Sequence, residues 1–296
     1  MSEIYKTDLI TNKDGTIFHL HLLPEEIADN IILVGDPGRV KQVSSFFDKI
    51  EIVKENREFV THTGLYEGER ISAISTGIGT DNIDIVLNEI DALVNIDMKR
   101  LRINEEHHRL KLIRIGTCGL LNPDIDPGSF VLSEISGGLD GLLHFYQEAD
   151  SIRLTEISEQ FIAHFEWKSN LALPYFVKAS KMLTELFNTS ILTSGITLST
   201  PGFYGPQFRK LRLDPFSNQF FERVVNFSFE GKKIANFEME SSALYGLSRA
   251  LGHEALTICV GIANRINHEF VDDYKPYIQK LIAYVLNKLT EGDNVE

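Results

Sequence analysis

Three arginines sit where a chain can build an anion site. Arg39 follows Gly35-Asp36-Pro37-Gly38, which reads as a strand-to-helix turn whose backbone N–H groups can cradle an anion. Arg114 lies in the run RIGTCG, at the carboxyl end of an apolar strand, and such ends open onto the ligand crevice of α/β sheets. Arg57 opens the expected strand REFVTH. Each also has a plainer reading, because arginines solvate strand ends and glycines make turns. The loop from Thr200 to Arg209 (TPGFYGPQFR) brings aromatic faces, an amide and a guanidinium together. A ring there can stack on a planar heterocycle, while Gln207 offers its edge both a donor and an acceptor. An ordinary surface loop accounts for the same residues equally well. Phe237-Glu238-Met239-Glu240 precedes a helix. Two ionised carboxylates could grip vicinal hydroxyls, but acids at a helix start also favour its dipole, and capping is the simpler account. His19, in FHLHL, fits a hydrogen-bonded structural histidine.

Several chemistries are excluded. His107-His108 and the scattered histidines lack metal-ligand spacing, so no metal is expected. GIGTDN lacks the third glycine of a dinucleotide fingerprint. No GxSxG elbow or Cys/His nucleophile pair occurs. The net charge of −13 speaks against a nucleic-acid partner, although arginines gathered in one cleft still make a local anion site. Cys118 and Cys259 lie in apolar runs and read as buried thiols of a reducing compartment. With no signal-like start and no apolar run long enough to span a bilayer, a cytoplasmic protein without membrane contact is expected.

Short β-rich runs alternating with helical periodicity define an α/β fold, and the absence of linkers or repeats argues for one domain over residues 1–296. Expected strands are 31–35, 111–116, 130–136, 191–200 and 255–263, with a hairpin over 57–76 turning at Tyr66-Glu67-Gly68-Glu69. Ile83, Val86, Leu87, Ile90, Leu93 and Val94 recur at helical spacing. A second helix opens near Ser241 and stops at Gly252, and a third carries Ile278, Leu281, Ile282, Val285 and Leu289. Residues 97–111 read as a charged, solvated excursion. Residues 140–172 fit a lid, an interface or an insertion.

Taken in order, FHLHL, VGDPGRV, REF, STGIG, RIGTCG, FYGPQFR, FEMESSALYG and GIANR resemble the nucleoside phosphorylase family, in particular its uridine phosphorylase branch. The resemblance runs from residue 18 to residue 265. It departs from the family at Cys118, in the glycine–proline order of FYGPQFR, and at Asn82, where a serine is sometimes associated with a cation site near Glu58 and Ile78.

The resemblance implies a single αβα-layered domain around a mixed, partly barrel-like sheet. It implies a homo-oligomer, a dimer or a hexamer built of dimers, with shared active sites. Gly35, Arg39, Arg114 and Thr117 would bind phosphate, with Arg57 supplied by a neighbouring subunit. Glu238, Met239 and Glu240 would hold the ribose, His19 of the neighbour would reach the 5′-hydroxyl, and Phe203, Gln207 and Arg209 would hold the pyrimidine. Arg39, Arg114 and Arg209 would carry catalysis, with phosphate as co-substrate and no cofactor. The implied reaction is phosphorolysis of uridine with inversion. The alternatives are a purine nucleoside phosphorylase, whose members carry Ser-Asp at Asn264-Arg265, a nucleoside hydrolase of the same fold, and a non-catalytic nucleoside-binding protein.

Overall fold

The computed structural model describes residues 4–291. In chain order the elements begin with β1 (Asn30–Val34), α1 (Pro37–Ser44), β2 (Lys49–Asn56), β3 (Phe59–Tyr66), β4 (Glu69–Ser75), α2 (Thr80–Asn95), β5 (Ile96–Asp97), β6 (Arg102–Ile103), β7 (Lys111–Leu120) and β8 (Phe130–Gly138). They continue with α3 (Ala149–Ile152), α4 (Thr155–Phe165), β9 (Tyr175–Lys178), α5 (Lys181–Phe187), β10 (Leu192–Ser199), α6 (Phe220–Asn226), β11 (Ser228–Phe229), β12 (Lys232–Glu238), α7 (Ser241–Ala250), β13 (Glu254–Asn264), β14 (Glu269–Phe270) and α8 (Lys275–Glu291).

One mixed sheet runs β11-β12-β10-β8-β13-β7-β1-β4-β3-β2. An added antiparallel pairing of β12 with β7, at Asn236↔Leu120 and Phe237↔Gly119, closes β12, β10, β8, β13 and β7 into a five-stranded barrel. The expected mixed, partly barrel-like sheet is therefore present. Strands β1, β4, β7 and β13 are mutually parallel where they pair. Every residue of β1 is buried, as a parallel strand covered on both faces requires. Helix α2 buries Ile83, Val86, Leu87, Ile90 and Leu93, the stripe visible in the sequence.

Three expectations need correction. The hairpin over 57–76 is the later part of a three-stranded meander, because β2 pairs with β3 ahead of it. Its turn stands where expected, with Glu67 and Gly68 both at positive φ, the geometry of a two-residue hairpin loop. Arg57 does not open a strand. It occupies the turn before β3, at a φ of 57°. Residues 97–111 are exposed but tethered: β5 and β6 form a short ribbon, His107 Nε2 lies 2.8 Å from the Leu251 carbonyl, and His108 pairs with Asp29 at 2.7 Å.

Residues 140–172 contribute to the core through Ile157, Phe161 and Phe165 of α4, which join an aromatic cluster with Phe208, Phe220 and Phe237. Asp140 at the start of this segment accepts from the Ser242 hydroxyl at 2.9 Å and the Tyr175 hydroxyl at 2.9 Å, bracing the first turn of α7. Burial raises the Asp140 carboxyl above its ordinary range.

Candidate active site

The carboxyl ends of β1, β4 and β7 and the loops after β10 and β12 surround a cavity of about 700 Å³. Gly35, Arg39, Arg114 and Thr117 line one part of it. Phe203, Gln207 and Arg209 line another, with Glu238, Met239 and Glu240 also in the wall. Ten of the twelve residues singled out from the sequence thus converge on one crevice.

At the anion end, Gly35 matters for what it leaves out. A methyl group there would stand 3.3 Å from the Gly77 carbonyl oxygen and 3.9 Å from Arg114 Nη2. Arg39 is buried and donates from Nη1 to the Ile115 carbonyl at 3.2 Å. Burial and the nearby charge of Arg114 both push its guanidinium down from the ordinary arginine range, so an anion bound there is stabilised. The turn after β1 does not offer the expected cradle at Gly38 and Arg39. Gly38 N–H donates to the Asp36 carboxylate at 2.8 Å and Arg39 N–H to the Asp36 carbonyl at 2.9 Å, because Asp36 caps α1.

Arg114 joins this end to the middle of the cavity. Its Nη2 donates to Glu240 Oε2 and its Nη1 lies 3.5 Å from Glu238 Oε2. Burial opposes a charge on Arg114, but the Glu240 and Glu238 carboxylates outweigh it and hold the guanidinium protonated. Burial likewise lifts the Glu240 carboxyl above its usual range, against the pull of Arg114.

The two glutamates divide the roles that the sequence left open. Glu238 caps α7, accepting from the backbone N–H groups of Glu240 and Ser241 at 3.0 Å and from the Ser199 hydroxyl. Glu240 makes no cap with its side chain. Its Oε1 accepts from Gly79 N–H at 2.9 Å, at the start of α2, which leaves that oxygen capacity for another donor.

At the far end, the Arg209 guanidinium lies 3.7 Å over the Phe203 ring and donates from Nη1 to the Phe203 carbonyl at 2.8 Å and to Gln207 Oε1. Gln207 Nε2 donates to Thr200 Oγ1 at 3.0 Å. Sequence reasoning missed Arg265 as part of this end. Its Nη1 donates to the Gln207 carbonyl at 3.3 Å, and its charge, after burial, pushes Arg209 down to about 10. Its place as the last residue of GIANR was the available signal. Asn264 is structural: its amide serves the Asn122 and Ile125 carbonyls at 2.9 Å and the N–H of Ile266 at 2.9 Å.

Two predicted residues stay outside the cavity of their own chain. His19 Nδ1 lies 2.6 Å from Glu89 Oε1, and its ring meets Phe18 edge-on. Arg57 is exposed and lies 5.7 Å over the Phe18 ring. They share one patch, and Asn56 ties the turn carrying Arg57 to the His19 carbonyl at 2.8 Å. Among the described residues no group of three or more His, Cys, Asp or Glu could hold a metal ion, and Cys118 and Cys259 are buried and free.

A crevice at strand carboxyl ends that offers guanidiniums to an anion at one end and an amide with a stacked guanidinium at the other defines an α/β ligand-binding class. The chain belongs to the phosphorylase superfamily, whose family model matches residues 29–288. It is 29% identical over 258 residues to a uridine phosphorylase of Thermococcus kodakarensis, covering 87% of this chain and 81% of that protein. It is also 29% identical over 277 residues to a DeoD-type purine nucleoside phosphorylase of Streptococcus suis, covering 90% and 98%. The structure of a Trypanosoma brucei nucleoside phosphorylase described as showing uridine phosphorylase activity superposes with a TM-score of 0.85 at 30% identity, covering 96% of this chain and all of that one. No helix among the described residues is long and apolar enough to cross a membrane.

Proposed function

We propose that this protein catalyses phosphorolysis of a pyrimidine nucleoside, uridine in preference, releasing the free base and ribose 1-phosphate. The observation that carries the reading is the single cavity with guanidiniums at both ends and two buried carboxylates between them. Phosphate held by Arg39, Arg114 and Thr117 attacks the anomeric carbon from the face opposite the base. No side chain need act as nucleophile, because the site supplies position and field. Glu240, with Met239, holds the ribose, while Glu238 fixes the start of the helix behind them. The base leaves with growing negative charge, which Arg209 and Gln207 stabilise. Arg57 and His19 complete the site of a second copy, a role that fits an exposed Arg57 and a half-buried His19 that both lie outside their own cavity.

The base end favours a pyrimidine over a purine. A purine leaving group needs an acid near its imidazole ring, and here the side chains are Phe203, Gln207 and Arg209, with Arg265 behind them on the Gln207 carbonyl and the Asn264 amide committed to backbone partners. The test is a nucleoside panel assayed with and without phosphate, with products identified. Uridine should yield uracil and ribose 1-phosphate only when phosphate or arsenate is present. Undiminished cleavage without phosphate points to a hydrolase, and inosine rates matching uridine point to a purine enzyme.

A further inference from the structure

We infer that the Thr200 hydroxyl fixes the orientation of the Gln207 amide and so makes the cavity discriminate a 2,4-dioxopyrimidine from its 4-amino counterpart. The inference rests on the pyrimidine-nucleoside reading above and adds to it the residue that sets base selectivity.

Two independent constraints orient the amide. Thr200 is fully buried at the end of β10, and its hydroxyl faces two carbonyl oxygens, Gly202 at 3.1 Å and Glu238 at 3.3 Å. A hydroxyl has one hydrogen, and here it goes to a carbonyl, since carbonyls only accept. Toward Gln207, therefore, Thr200 Oγ1 can only accept, and the amide must turn its NH₂ to it, at 3.0 Å. On the other side stands Arg209, which has donors and no acceptor and so favours the amide oxygen there. It is only half-buried, on an exposed loop, and holds the amide less firmly than the buried Thr200. Both constraints give the same rotamer, and Gln207 is buried, leaving little room for a flip.

What remains unspent is a pattern. Gln207 Nε2 keeps one hydrogen and Oε1 keeps one lone pair. Arg209 Nη1 spends its two hydrogens on the Phe203 carbonyl and on Gln207, so a ligand is met by Nη2. Read along the wall, the order is donor, acceptor, donor. Its complement is acceptor, donor, acceptor, the O2, N3–H, O4 edge of uracil. Cytosine presents acceptor, acceptor, donor and mismatches at two of the three places. Reversing the amide would remove the uracil match at the first two. Thr200 is thus a specificity-determining residue that touches neither base nor phosphate.

The experiment compares kcat/KM for uridine and cytidine in the wild type and in Thr200→Val, Thr200→Ala and Thr200→Ser, with Tm recorded for each. Buried hydrogen-bonding sites reject mismatched partners strongly, so the wild-type ratio should exceed about a hundredfold. It should fall at least about tenfold in the Val and Ala variants, and stay within about threefold of wild type in Ser, which keeps the hydroxyl. A general loss of structure would lower both substrates together and leave the ratio unmoved. An unchanged ratio in Val and Ala, a Ser variant as impaired as Ala, or equal wild-type rates on the two nucleosides overturns the role of Thr200. Should Val and Ala fail to fold, NMR of the wild type decides. The Gln207 NH₂ protons must show contacts to the Thr200 methyl, and their absence refutes the orientation. A wild type that cleaves no nucleoside, or only purine nucleosides, overturns the pyrimidine reading instead.

Discussion

Arg209 shows how one guanidinium can be tuned by its setting. Burial, and then the charge of Arg265, pushes it down to about 10, while its face rests on Phe203. Below that value it is charged and can receive the developing negative charge of a departing base. As pH rises through about 10 the charge is lost, so kcat/KM for uridine should fall on that limb while circular dichroism still reports folded protein. The imide N3–H of uridine also ionises on the alkaline side. The part due to Arg209 is therefore the difference between the wild-type profile and that of Arg209→Gln, which should be slow at every pH and fall less steeply. Profiles of the same shape in the two proteins would remove Arg209 from leaving-group stabilisation. Gln207 and Arg209 were legible in the sequence because amide, guanidinium and ring share one short loop. Arg265 was not, because only closure of the barrel brings the end of β13 against that loop. The assignment of Glu238 to the cap and of Glu240 to the cavity was also illegible, since two acids flanking a methionine read alike until the backbone path is known.

Strand β7 positions the anion end as an element. Its Gly116 lets Arg114 fold back along its own strand: a methyl there would stand 2.2 Å from Arg114 Nη1 and 2.8 Å from Cys259 Sγ. Gly116→Ala should therefore displace the guanidinium and lower kcat/KM for phosphate, by on the order of a hundredfold for a shift near 1 Å. Steady-state kinetics with varied phosphate will measure it, and a kcat/KM within twofold of wild type would argue that Arg114 does not hold the anion. The parallel strands and α2 were readable because full burial writes continuous apolar runs and a 3.6-residue stripe. Strand β2, which is largely exposed and carries charges along KIEIVKEN, leaves no such trace. Strand β12 went unread for another reason: KKIANFE is short, and half its interest lies in its end, where the acids drew attention as a cap or sugar site. The excursion over 97–111 was rightly seen as charged, but the ion pairs that pin it join residues remote in sequence.

For the whole molecule, the proposed sharing of sites has a quantitative consequence. An isologous dimer places the same Arg57 loop of each copy into the other's cavity. If Arg57→Ala and Arg114→Ala proteins, each inactive, are co-expressed, one site of a mixed dimer carries both defects and the other carries neither. Random pairing should then restore wild-type rate to about a quarter of all sites. No recovery in a preparation shown to contain mixed oligomers would leave Arg57 without its role. The barrel seam between β12 and β7 bears on how the molecule comes into being. Strand β7 meets β13 along its whole length and β1 along its first half, yet pairs with β12 at only Asn236↔Leu120 and Phe237↔Gly119. Those pairs join the strand bearing Arg114 to the strand ending in Glu238, and within the barrel only the pairings of β13 with β7 and β8 join residues further apart in the chain. Contacts so remote in sequence are the last to repay their loop entropy. The barrel is therefore complete only once its carboxyl-terminal strand β13 has been made and docked between β7 and β8. Until then the walls of the cavity are unfinished, and competence for chemistry waits on the far end of the chain.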